Sequence, residues 1–479
     1  MKIALVWPKG FDPIYVVPLS LAYLKSNLDP SAARVRIFDC ALEKMAADSP
    51  RLARRLREFS PDVVGVSCLS FNYGEARRIL KTAKTLVPHA VTVMGGVHAS
   101  CDKETGRLRV QEIDYLLTGE AERTFPVFIE ELCKGSPDLS RVPGLVWRGG
   151  DGSVARNPNY LEQDLDLIER PDYDAIRLEE YLRRGYRYHT RRKPNAPIWV
   201  TRGCPYRCRF CSAPRMNGST IRTHSIDYVV DWVEDLYFRK GIRLFSIIDD
   251  SFTSDMDFAK EFCRAMISLG LPGLGFATPT GIRAQRTDAE LLALMKRAGW
   301  ECVSVAPESG SRRTLERMGK GIDIDSFPEK VAQIRAAGLK VHGFFIVGYP
   351  GETPEDIAET SRFIRKCRFN MLYISNFQPL PGTPVYEQLV QSGEIPEGLL
   401  PGNYSDGERT YVPSALRDFN FPMFVLKEFF WLAARQPLDL VHIFRVVSPR
   451  MLLKKARNNV LNMAWAMTSR GRAQQRISS

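Results

Sequence analysis

The chain has 479 residues, 44% of them hydrophobic and 25% charged, which excludes a single small module, wholesale disorder and a collagen-like or coiled-coil chain. Lys and Arg number 67 against 55 Asp and Glu, a net charge of +12, and such a surplus points to an anionic partner such as nucleic acid, phosphate or a membrane surface. Its distribution is uneven: eleven basic and no acidic residues lie between Tyr181 and Ile226, eight and none between Leu440 and Ser479, and the remaining body is mildly acidic.

No run of apolar residues reaches the length of a membrane-spanning helix. The opening Lys2-Ile3-Ala4-Leu5-Val6-Trp7 stops at Pro8 and reads as a first strand rather than a signal peptide, so a cytoplasmic chain is expected. Ten cysteines are too sparse for a disulfide scaffold, and three of them crowd into Cys204–Cys211, which suggests metal in a reducing compartment.

Residues 1–135 alternate short apolar runs with helical patterns. Ile3 to Trp7, Val35 to Phe38, Val63 to Ser67, Val91 to Met94 and Tyr115 to Leu117 are predicted strands, and helices are predicted from Pro18, Pro50, Tyr73 and Thr124. This order implies an α/β, Rossmann-like domain with a parallel sheet covered on both faces and ligands at the carboxyl ends of the strands. Residues 136–195 read as a connector, with a hairpin near Gly144 to Val154. Over residues 196–392 the alternation resumes, with strands at Ile198 to Thr201, Leu244 to Ile248, Gly275 to Ala277, Cys302 to Ala306, Val341 to Val347 and Leu372 to Ser375. Helices ending at Gly241, Gly270, Gly299 and Gly338, a capping box at Thr287–Glu290 and Pro354 at a first helical position complete six βα units, a partial (β/α)6 barrel. Residues 393–479 are expected to form a mainly helical domain, with an aromatic patch from Phe419 to Leu432 and a basic tail.

The cysteine loop is C-x3-C-x2-C: Cys204, Cys208 and Cys211, after the first barrel strand. Three thiolates on one tight loop suit three corners of an iron–sulfur cube and leave one iron open. The alternative is a zinc knuckle completed by His224, although zinc motifs usually pair their ligands. The other seven cysteines read as core residues.

With Phe210 as the aromatic before the third cysteine, this loop resembles that of the radical S-adenosylmethionine (SAM) superfamily. The resemblance implies that Cys204, Cys208 and Cys211 ligate a [4Fe-4S] cluster, that SAM chelates the fourth iron, and that its reductive cleavage gives a 5′-deoxyadenosyl radical. Further segments resemble the family's motifs in order. They are Ile247–Phe252 with Asp249 and Asp250, Pro307–Gly310 with Glu308 and Ser309, Phe345–Thr353 with Val347, and Pro379–Pro384. The resemblance implies that Phe210, Asp249, Asp250, Glu308, Ser309 and Val347 border SAM.

Val63–Ser67, Gly95–Ser100 and Asp114–Glu122 resemble the cobalamin-binding domain that precedes the barrel in one radical SAM class. The implied cobalamin contacts are Ser67, Leu69, Gly95, Gly96, Val97, His98, Gly119 and Glu120. The D-x-H-x-x-G signature is missing, which leaves cobalt bound without a protein His ligand or cobalamin absent; the former is expected, and His98 is assigned a pocket or structural role. Radical SAM methylthiotransferases acting on tRNA carry three N-terminal cysteines for a second cluster, for which Cys40, Cys68 and Cys101 are candidates; their pattern opens with a cysteine after the first strand, where this chain has Trp7-Pro8-Lys9-Gly10.

The resemblance implies a radical SAM enzyme with a [4Fe-4S] cluster, SAM and cobalamin, methylating an unactivated carbon of a small molecule or lipid. Radical cyclisation, rearrangement or oxidation without methyl transfer is the alternative; a tRNA methylthiotransferase and a zinc-bearing nucleic-acid-binding protein are further ones. Expected partners are the substrate, an electron donor such as flavodoxin or ferredoxin, and a membrane surface touched by the basic tail, which places the chain at the inner membrane face.

Overall fold

The computed structural model describes residues 1–10, 17–101, 110–184, 194–402 and 409–437. The basic tail and the four basic residues from Arg187 to Lys193 lie outside the described residues.

The first sheet contains β1 (Lys2–Trp7), β2 (Arg34–Asp39), β3 (Val63–Ser67), β4 (Val91–Gly95) and β5 (Tyr115–Leu117), parallel and in the order β2-β1-β3-β4-β5. Side chains alternate between faces: Ile3, Leu5 and Trp7 enter one core, Ala4 and Val6 the other. Helices on both faces cover this alternation, so the strands are buried on each side.

The hairpin of β6 (Leu145–Arg148) and β7 (Val154–Arg156) is not part of a separate connector. β6 pairs antiparallel with β5, opposing Leu145 to Leu117, and extends the sheet to seven strands. Leu145 joins one core and Val146 the other, so the hairpin covers the exposed polar edge of β5. The next segment is also committed to packing. Tyr173 and Tyr181 are buried with the barrel core, and their hydroxyls donate to the Pro197 carbonyl at 2.6 Å and Asp39 at 2.5 Å.

The barrel strands are β8 (Asn195–Ile198), β9 (Thr201–Arg202), β10 (Arg222–Thr223), β11 (Leu244–Ile247), β12 (Gly275–Ala277), β13 (Cys302–Glu308), β14 (Lys340–Val347) and β15 (Met371–Asn376). β8, β11 and β12 form one parallel half, β13, β14 and β15 the other, and a bridge between Ile282 and Val305 joins them. The first strand departs from its predicted range because the amides of Val200 and Thr201 donate to the Asp249 carboxylate, each at 2.8 Å, instead of to a neighbouring strand. The chain then turns into a short antiparallel pair, β9 with β10. The helix at residue 289 is capped by Asp288, which accepts from Leu291, rather than by Thr287. Pro354 takes the first helical position as predicted, with Thr353 at the N-cap before it.

Helix Phe421–Arg435 packs Phe421 and Phe424 onto Val347 and Ile357. Its Glu428 is fully buried and accepts from Ser361 and Arg365 at 2.6 and 3.1 Å. The aromatic patch is therefore only half core, because Met423, Leu426 and Phe430 of the same helix are exposed. Among the described residues, no helix is long and apolar enough to cross a membrane.

Candidate active site

The cysteine loop leaves β9 through Gly203, whose φ of +94° and position decide its identity: a Cβ there would lie 2.1 Å from the Thr220 carbonyl oxygen. Backbone bonds anchor the loop at both ends. Cys204 donates to Gly218 at 3.1 Å, Arg209 donates to Met318 at 2.9 Å, and Arg209 accepts from Val385 at 3.1 Å. Cys204, Cys208 and Cys211 are half-buried, free and open onto one cavity of about 230 Å³. They do not converge on one point: among the described residues, no three His, Cys, Asp or Glu are gathered to hold a single ion. Burial pushes the Cys204 thiol up and the Cys211 thiol to about 12, so binding of metal must release protons. Three unclaimed thiols around one cavity, with the Ala213 amide donating to the Cys211 sulfur at 3.5 Å, fit an iron–sulfur cluster with one open corner. His224 is not a fourth ligand. It is buried on Tyr228, 4.4 Å between stacked rings, with Nδ1 3.0 Å from Asp166, and it lines neither cavity.

Phe210, Asp250 and Glu308 share the cluster cavity, as do Arg283 and Lys320. Lys320 lies 2.8 Å from Glu308 and 5.7 Å from the Phe210 ring. Burial works against its charge, but the Glu308 carboxylate holds its pKa above the usual value. Glu308 has φ of +68° at a break in the β13–β14 register, a strained conformation of the kind kept at functional sites.

The remaining residues implied for SAM face elsewhere. Asp249 is buried by its two backbone donors, and burial raises it to about 8; its carboxylate shapes the first strand. Ser309 faces Thr360 behind the strand at 3.1 Å. Val347 packs under the C-terminal helix, and its carbonyl accepts from Phe377.

A second cavity, of about 370 Å³, opens at the carboxyl ends of the first sheet. Ser67, Leu69, Gly95, Gly96, Val97, Gly119 and Glu120 line it, together with Trp7, Leu117 and Phe125, which are not among the implied contacts. His98 is outside it: its Nδ1 lies 2.9 Å from Ser70 Oγ and its ring 4.5 Å from Tyr73. The Glu120 carboxylate is engaged by Arg222, so it serves the protein rather than a ligand. Cys40, Cys68 and Cys101 are buried and line neither cavity, and of the cysteines read as core only Cys133 is exposed. The two cavities share a wall of Cys211, Ala213 and Asp250. An apolar chamber with few polar groups fits the flat apolar face of a macrocycle such as a corrin, whose amide side chains would reach the rim, and that wall places it beside the cluster loop.

Comparison with known proteins agrees with this geometry. Residues 14–129 match the B12 binding domain and residues 198–364 the Radical SAM superfamily. The chain is 29% identical over 443 residues to the cytidylyl-2-hydroxyethylphosphonate methyltransferase of Streptomyces wedmorensis, covering 82% of each chain. It is 28% identical over 396 residues to the anaerobic magnesium-protoporphyrin IX monomethyl ester cyclase of Cereibacter sphaeroides, covering 78% of this chain and 63% of that one. Its fold superposes on the radical SAM methyltransferase TsrM of Kitasatospora setae with a TM-score of 0.71 at 19% identity, covering 90% of this chain and 88% of that one. The two matched domains together span more than half of the chain, which belongs to the cobalamin-dependent radical SAM enzymes.

Proposed function

We propose that the chain catalyses C-methylation of a small-molecule or lipid substrate at an unactivated carbon. The observation that carries this reading is the shared wall: Cys211, Ala213 and Asp250 border both the cluster cavity and the cavity of the first domain. Cys204, Cys208 and Cys211 would hold the [4Fe-4S] cluster, and Ser67, Leu69, Gly95, Gly96, Val97 and Gly119 would border cobalamin. When bound, the cluster with SAM supplies a 5′-deoxyadenosyl radical and cobalamin supplies the methyl group. The chain's own part is to hold these groups within reach of one substrate and to exclude water. Glu308 and Lys320 bring opposite charges to the cluster cavity, suited to a zwitterionic ligand such as SAM, while Phe210 offers an apolar face.

The test is anaerobic reconstitution with iron, sulfide and cobalamin, followed by reduction in the presence of SAM. Formation of 5′-deoxyadenosine, together with corrin that stays bound through gel filtration, is expected; absence of both refutes the reading. The similarity to the cyclase favours radical cyclisation as the second reading, and a substrate product without added methyl would decide for it. A flavodoxin- or ferredoxin-type donor would supply the electron. The exposed Met423, Leu426 and Phe430, which precede the basic tail in sequence, support contact with an anionic membrane surface; flotation with vesicles containing anionic lipid, set against neutral vesicles, tests it.

A further inference from the structure

Four charged side chains from two domains meet at the wall of the first-domain cavity, which Glu120, Glu122 and Arg202 line. Glu120 and Glu122 follow β5 of the first sheet, Arg202 immediately precedes Gly203 and Cys204, and Arg222 is the cross-strand partner of Arg202. Arg202 donates to Glu122 at 2.7 Å and lies 3.6 Å from Glu120; Arg222 donates to both Glu120 oxygens at 3.0 and 2.5 Å. All four are buried, Arg202 to 1% exposure. The Arg202 guanidinium also lies 4.6 Å from the Trp199 ring and 5.4 Å from that of Tyr23, the latter from the first domain. Burial acts against the charge of Glu122, and Arg202 outweighs it, holding the carboxyl below the usual range.

From this cluster a chain of hydrogen bonds reaches the shared wall. Arg222 donates to the Asn217 carbonyl at 2.7 Å, and the Asn217 amide donates to Asp250 at 2.6 Å. Two positive and two negative groups balance only when the two domains meet in this register. In any other, buried charges would lack partners, which is the costly state. Neither glutamate lines the cluster cavity.

We propose that Glu120 and Glu122 are positioning residues: through Arg202 and Arg222 they fix the cluster loop and Asp250 against the first domain, so that the fourth-iron site faces the cluster cavity correctly. The inference rests on reading that cavity as the SAM site. The test uses the full chain reconstituted anaerobically, with SAM titrated against the electron paramagnetic resonance spectrum of the reduced cluster. Glu122→Gln is expected to keep its iron but to need about tenfold more SAM for the spectral change. Glu122→Asp, which retains the charge, recovers most of that affinity. Should Glu122→Gln fail to fold, Arg222→Lys takes its place, with a shift of the same sign. Unchanged SAM titration in a folded variant, or equal weakening by Asp and Gln, overturns the proposal. A wild-type cluster that ignores SAM overturns the proposed function and this inference with it.

Discussion

Gly203→Ala tests whether the backbone before Cys204 is set by sterics. The new Cβ has two problems. At φ of +94° an L-residue is strained by about 1–3 kcal/mol, and at 2.1 Å from the Thr220 carbonyl oxygen it demands movement, an overpacking cost of about 1–3 kcal/mol. Relief by moving Thr220 is blocked, since the β9–β10 pair beside it is held by Arg202 and Arg222 in their buried ion pairs. The loop itself must therefore yield, carrying Cys204 away from Cys208 and Cys211. The expected outcome is about 2–6 kcal/mol of local destabilisation and loss of most of the iron and sulfide per chain after reconstitution. Gly241→Ala is the control. It has φ of +66° at the end of helix Ile226–Lys240, but nothing lies within 4 Å of its added Cβ, so it costs only the backbone strain of about 1–2 kcal/mol and keeps its cluster. Full iron content and an unaltered cluster spectrum in Gly203→Ala would refute the steric account.

Serine at any of Cys204, Cys208 or Cys211 should abolish both the cluster absorbance and 5′-deoxyadenosine formation, whereas Cys263→Ser, buried in the helix Met256–Ser268, should retain both. Lys320→Met leaves Glu308 buried without its cation and should cost about 3–5 kcal/mol in urea unfolding; adding Glu308→Leu should restore stability but not SAM cleavage, and recovered cleavage would remove the pair from SAM binding. For pH, burial lowers His224 from 6.5 to about 4 despite the Asp166 bond. The folded chain thus refuses a proton that the unfolded chain accepts, and up to about 3 kcal/mol of stability, fully present above pH 6.5, is lost as pH falls toward 4. Urea midpoints of wild type and His224→Phe between those values check this; equal slopes refute it.

The elements were legible where side chains repeat with a short period. β3, β5 and β12 match the ranges read from apolar runs because strand burial is written locally in the alternation of residues. What failed depended on partners distant in the chain. Asp249 lies 49 residues from Val200, so its carboxylate reads as a ligand contact until the fold brings the two amides to it. The hairpin reads as connector because only an unpaired β5 edge gives it a place. Of the site, the three thiols and most of the first-domain cavity follow from turns at strand ends. Lys320 carries no such mark, since it follows the helix Arg312–Met318 and reaches the cavity only through the barrel's closure onto Glu308.

The basic stretch before the barrel also changes meaning. Its lack of acidic residues first suggests an anion-binding surface, yet five of its seven described arginines form ion pairs within the protein: Arg202 and Arg222 with Glu120 and Glu122, Arg183 and Arg184 with Glu180, and Arg215 with Glu387. The acids that balance this stretch come largely from other segments, with Glu122 eighty residues from Arg202. A segment that must dock between two domains gains by carrying one sign of charge, because its ion pairs then form across the junction and not within it. Charge segregation along the sequence is therefore in part a record of domain docking here, while the tail from Leu440, with eight basic and no acidic residues, has the composition of a surface for an external anion.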